Sequence, residues 1–280
     1  MNKLLIITFL GFIVLFPSCR NSERDNDVST GSSESYWVAA NQINSIIREI
    51  HNVSVGDSIL NGINPANSLP LEACVDSISL YPKNGPFPIN LTITYDTSKI
   101  CAFDRVRSGQ ITANFDGKYG DLGTKIIVST LNYKVNDYVI SADISMEVVY
   151  SVIDTLTFDV IVKNATITDS KATGNKINLQ ESHIQFSQNR GRKTVSTGDD
   201  QFIITGSGDG IAQNGVVYSF QTEFENVLTY DCGYETFGSV RLKAANQLDR
   251  ILNFGEGGSC DKVMLVSIPP ANGDQVVEIK

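Results

Sequence analysis

The feature that most constrains this chain is an alternation of apolar and polar residues with a period of two. Ile89, Leu91, Ile93 and Tyr95 alternate with Asn90, Thr92 and Thr94, and Tyr138, Ile140, Ala142, Ile144, Met146 and Val148 alternate with Ser141, Asp143, Ser145 and Glu147. Successive side chains of a strand point to opposite faces, so each run predicts a strand with one buried and one wet face. Comparable runs recur at 110–115, 124–133, 157–162, 176–186, 201–205, 216–227, 239–244, 248–254, 263–268 and 275–279. Turn formers such as Asp116-Gly117, Asn136-Asp137 and Asn214-Gly215 stand between them. The pattern predicts an all-β fold, an antiparallel meander of many amphipathic strands that forms a sandwich or a curved or closed sheet.

One stretch breaks the period. Trp37, Ala40, Ile43, Ile47 and Ile50 recur at spacings of three and four, which predicts a single N-terminal amphipathic helix over 34–51. Ser33 is its candidate cap, residues 52–56 end it, and its apolar stripe is expected to pack on the sheet. Helix and strands together make one β-rich domain over 34–280, and a division into two lobes near residue 170 stays open. Gly206-Ser207-Gly208-Asp209-Gly210 reads as a hairpin turn, and Arg190, Arg192 and Lys193 around Gly191 read as a solvated hairpin tip.

The start of the chain belongs to no fold. After Lys3, the run from Leu4 to Phe16 is broken only by Thr8 and Gly11, the length of a secretory apolar segment and too short to span a bilayer. The break at Leu15-Phe16-Pro17-Ser18-Cys19 resembles the lipobox of bacterial lipoproteins. That resemblance implies removal of residues 1–18, acylation of Cys19, and a partner in the membrane itself through the acyl anchor. Residues 19–33 then serve as a polar, disordered tether. Glu23, Asp25 and Asp27, with Ser22, resemble the export signal that sends some Bacteroidota lipoproteins to the outer leaflet, which implies an outer-membrane protein displayed on the surface rather than held in the periplasm.

The formal net charge is −9, and losing Lys3 with the leader takes it to −10. Nucleic-acid binding rests on Lys and Arg neutralising phosphates, so no nucleic-acid partner is expected. Of the five cysteines, assigning Cys19 to lipid leaves Cys74, Cys101, Cys232 and Cys260. Four cysteines allow three connectivities, and their closeness in sequence points to disulfides Cys74–Cys101 and Cys232–Cys260. There is no C-x-x-C, and the histidines are His51 and His183, so neither a metal nor another cofactor is expected.

A catalytic site has little support in the sequence. A Ser or Cys nucleophile needs an adjacent base, and both histidines read as ordinary structural or solvated residues. Asp199 and Asp200 beside Gly198 read as turn acids facing solvent. Leu71-Glu72-Ala73-Cys74, the segment from Cys101 to Gly109, Asp231-Cys232-Gly233, and the segment from Phe254 to Asp261 resemble the cysteine and glycine frames of a Bacteroidota outer-membrane lipoprotein family to which no reaction is assigned. In the same lineage, Asp57-Ser58-Ile59, Asp76-Ser77-Ile78 and Asp154-Thr155-Leu156 resemble the acceptor pattern of protein O-glycosylation, which implies glycan on Ser58, Ser77 and Thr155. The expected function is a lipid-anchored envelope binding or assembly protein without catalytic activity, its partner an envelope protein or a glycan. The alternatives are a glycan-processing enzyme and a periplasmic carrier of an apolar ligand.

Overall fold

The computed structural model describes residues 29–61, 73–171, 175–192, 194, 197–256, 260–268 and 275–278. Its strands are β1 Val75–Tyr81, β2 Ile89–Tyr95, β3 Ile100–Cys101, β4 Arg105–Phe115, β5 Lys125–Val135, β6 Tyr138–Ser151, β7 Leu156–Asp169, β8 Lys176–Arg190, β9 Gln201–Ile211, β10 Val217–Thr229, β11 Glu235–Ala244, β12 Arg250–Glu256, β13 Val263–Ser267 and β14 Gln275–Glu278. They form one antiparallel sheet in chain order, with the short β3 attached to the start of β4. The meander expected from the alternation is therefore present, as an open sheet that does not close into a barrel. Strands β7 and β8, on either side of residue 170, are neighbours in that sheet. Strands β1 and β3 fall outside the alternating runs because serine and aspartate interrupt β1 and two residues are too few to show a period.

The helix, α1 (Gly31–Gly56), is longer than its apolar stripe predicts and is buried on every side rather than on one. Thr30 takes the N-cap position, and Ser33 is buried inside the first turn instead of capping it. Contacts explain the burial. Tyr36 packs on Phe220 of β10, Trp37 on Phe254 of β12, His51 on Phe202 of β9, and Glu49 meets Arg107 of β4 and Tyr95 of β2. Both flanks of one sheet touch one helix, so the sheet wraps it. A second, four-residue helix, α2 (Ser58–Asn61), follows and buries Leu60.

Two local features let the sheet bend this far. Register shifts fall at one level across neighbouring strands, at Ser108/Gln110, Ser129/Tyr133, Ser141/Asp143 and Leu179/Glu181. Each bulge bends its strand and increases its twist, and aligned bulges add into a crease. Asn132 and Asn164 sit on that level with positive φ, a region asparagine tolerates better than most residues. The second feature corrects the sequence expectation for 206–210, which is not a turn but the second half of β9. Its glycines face inward, where a Cβ on Gly206 would stand 2.3 Å from the His183 carbonyl oxygen and one on Gly208 2.5 Å from that of Glu181. Backbone approaches backbone there, and no side chain fits between. Glycine so close to a neighbouring strand marks a tight bend, which the turn-like composition disguised.

Candidate functional site

The polar side of α1 faces the gap between the two arms of the sheet. Arg105 donates to Ser45 Oγ, Asn41 Oδ1 and the Gly233 carbonyl, each at 2.9 Å, and so ties β4 to the connection between β10 and β11 across the helix. Arg48 reaches the same connection, donating to the carbonyls of Tyr230 and Cys232. Phe103 lies between the two guanidiniums, 5.2 Å from Arg48 and 5.8 Å from Arg105, and Gly233 can have no side chain because a Cβ would meet the Phe103 ring at 2.8 Å. Burial, followed by repulsion from Arg105, lowers Arg48 to about 10, and burial, followed by repulsion from Arg107, lowers Arg105. Carbonyl oxygens and ring faces are the compensating partners for charge here. The arrangement holds the open sheet shut around its helix.

A second cluster lies at the C-terminal end of α1. His51 Nε2 is 2.7 Å from Asp200 Oδ2 and Nδ1 is 2.8 Å from the Tyr119 hydroxyl, while Gln188 donates to Asp200 Oδ1 at 2.9 Å. With Asp200 ionised, Nε2–H donates to the carboxylate and Nδ1 accepts from Tyr119, so both ring nitrogens are satisfied. Burial, reinforced by Asp200, pushes the Tyr119 hydroxyl well above the usual tyrosine range. A cavity of about 80 Å³ opens beside Tyr119, Gln188, Arg192 and Asp200. Among the described residues it is lined by one carboxylate, Asp200, whereas glycoside hydrolysis ordinarily uses two flanking the bond. Of the two acids expected to face solvent, Asp199 is exposed and Asp200 is not. Asp200 is buried because His51 and Gln188 take its two oxygens. Nor is Arg192 a solvated tip residue, since its guanidinium donates to Ser151 Oγ and the Thr155 carbonyl.

A trough of about 520 Å³ lies on the outer face across β8 to β11. Strand register orders its residues into two cross-strand rows. One runs Glu181, Asp209, Ser219, Lys243, and the other His183, Ser207, Gln221, Arg241. Short side chains in the middle strands make the floor, and longer ones on β8 and β11 make the walls. The walls differ in sign, acidic with imidazole on β8 and cationic on β11. Arg241 is held by Glu223 and Asp249, and Glu181 by Lys163 and His183, but Asp209 and Lys243 have no ion-pair partner among the described residues.

The remaining expected sites fall as follows. The disulfide pairs Cys74–Cys101 and Cys232–Cys260 are formed, with Cα atoms 5.0 and 5.5 Å apart. Ser58 and Ser77 are exposed and Thr155 is half-buried. Cys19, the leader and the tether through Val28 lie outside the described residues. Among the described residues no helix is long and apolar enough to cross a membrane, and no group of three or more His, Cys, Asp or Glu is placed to hold a metal ion. The trough was invisible in the sequence because it depends on register between four strands, although the short outward residues of β9 and β10 were its one local sign.

Comparison with protein-family models, with curated proteins and with solved structures finds no match to this chain.

Proposed function

We propose that this chain is a lipid-anchored, non-catalytic binding or assembly protein of a Gram-negative outer membrane, held by acyl chains on Cys19 and facing outward. The observation that supports binding over carriage is the small space between α1 and strands β8 to β11. Where a carrier would hold an apolar ligand between helix and sheet, Tyr36, Ile43, Leu179, Ile204 and Phe220 leave a space of about 20 Å³, room for one water. The buried His51 cluster supports a structural role for that histidine, since each of its nitrogens already has a partner. The outer face of the sheet offers a concave surface for recognition in the trough across β8 to β11. The four cysteines in two formed pairs suit an oxidising compartment outside the cytoplasm.

The test is site-directed photocrosslinking in intact cells from positions on the outer face, read by mass spectrometry. A discrete crosslinked species from trough positions and none from β4 or β5 is expected. Crosslinks confined to β4 and β5, or turnover of an envelope glycan by the purified protein, would overturn the reading.

A further inference from the structure

We infer that the outer trough is a binding site for a short zwitterionic peptide, which lies across the strands with its ammonium at the β8–β9 wall and its carboxylate at the β11 wall. The argument starts from Asp209 and Lys243. Strand pairing places both beside Ser219, Asp209 through β9–β10 and Lys243 through β10–β11, so they share one cross-strand row. Two interstrand spacings of about 4.8 Å separate their backbone positions by about 10 Å. No ion pair joins them, and neither has another ion-pair partner among the described residues.

The other charges lining the trough are already compensated, Glu181 by Lys163 and His183 and Arg241 by Glu223 and Asp249, which leaves Asp209 and Lys243 as its open ends. Glu181 extends the row beyond Asp209, and Arg241 stands in the next row, about 7 Å along β11 from Lys243. Between the charged ends lie Ser207, Ser219 and Gln221, whose hydroxyl and amide groups both donate and accept. A ligand lying along this row carries a cation at its Asp209 end and an anion at its Lys243 end, spans about the 10 Å between the two strand positions, and has hydrogen-bonding groups between them. Three residues of extended peptide with free termini have that length and that chemistry. A neutral glycan would use the floor and leave both walls unanswered.

The inference rests on the binding reading above and names its ligand, and the two fail separately. Loss of peptide binding with trough crosslinks intact would sink the ligand class alone.

The experiment is calorimetric titration of the purified full chain with tri-alanine, N-acetyl-tri-alanine and tri-alanine amide. Saturable binding of the free peptide is expected, weakened about fivefold by either block, the scale of one exposed ion pair. Two surface variants sharpen the test. Lys243→Gln should weaken the free peptide by a similar factor and become indifferent to amidation while still sensing acetylation. Asp209→Asn should show the converse. Absence of saturable heat, equal binding of the blocked peptides, or displacement of the peptide by a neutral trisaccharide at equal concentration would each overturn the assignment.

Discussion

Arg105 of β4 donates to the Gly233 carbonyl at 2.9 Å across 128 residues of chain, and this contact joins two arms of a sheet that no strand pairing closes. The same guanidinium holds Asn41 and Ser45 on α1, so one side chain connects three elements. Arg105→Ala should therefore destabilise the protein by about 3 kcal/mol or more, since bonds from a charged donor are worth roughly 1.5–3 kcal/mol each and three are lost. Asn41 Oδ1 is left buried without its donor, while the Gly233 carbonyl keeps Asn41 Nδ2 and Ser45 Oγ keeps Arg107. Arg105→Lys should not restore it, because a single ammonium lacks the planar fork that spans both arms. Denaturant midpoints at constant slope are the measurement.

The His51 cluster predicts a smaller loss. Asp200→Asn removes the carboxylate that accepts from Nε2 and should cost about 1.5–3 kcal/mol in chemical denaturation. Tyr119→Phe, which leaves His51 Nδ1 without its hydroxyl, should cost about 1–3 kcal/mol. An Asp200→Asn protein of unchanged stability would show that the cluster contributes nothing to folding.

The two outcomes also show what could be read in advance. Meander, helix and disulfides were legible because each follows from a local signal: period two, spacings of three and four, and an even cysteine remainder once Cys19 is set aside. The environment of His51 was not. Asp200 lies 149 residues away, and nothing near either residue announces the other. Gly206 to Gly210 misled for a related reason. Glycine density usually marks a turn, but here it serves a strand pressed against its neighbour's backbone, and that pressure exists only in the curled sheet. The helix misled similarly, because Arg48, Glu49 and Asn44 mark a wet face unless a second arm of the sheet covers them.

Acidity provides the next prediction. Burial raises the Glu235 carboxyl above its ordinary value, opposed by Asn44, which donates to it at 2.8 Å, and by Arg105, while Tyr36 is the other titratable group it influences. A carboxyl raised on folding holds its proton more tightly in the native state. Its contribution to stability is complete below the unfolded value near 4.5 and is lost as pH rises through the folded value. Glu235→Gln cannot ionise, so its stability relative to the wild type should increase as pH rises from about 4.5 and then level off. Denaturant titrations at several pH values would show this, and a stability gap constant with pH would refute it.

The disulfides enclose loops with sequence separations of 27 and 28. In the chain-entropy model a loop of that size stabilises by about 3.5 kcal/mol. Replacing either pair by alanine should lower stability by about that amount, and peptide mapping of the oxidised chain should recover the same two links. Links crossing between the halves would refute the pairing.

The last prediction concerns the anchor and the side of the membrane that the domain faces. The Arg250 guanidinium donates to the Ser29 carbonyl at 3.0 and 3.2 Å, which fixes the start of the described chain at the N-terminal end of α1. Ten residue steps separate Ser29 from Cys19, at most about 36 Å of extended chain. An acylated Cys19 would therefore keep the domain within that distance of the bilayer, and more than one acyl chain makes the attachment stable. Cys19→Ala should move the protein from the membrane fraction to the soluble fraction; persistence in the membrane without a bound partner would refute the lipid anchor. For the wild type, protease added to intact cells should remove the domain. Replacing Glu23, Asp25 and Asp27 by alanine should protect it, because those acids carry the resemblance to an outward export signal. Protection of the unaltered chain alongside a periplasmic control, with a known surface protein cut, would place the domain on the inner side.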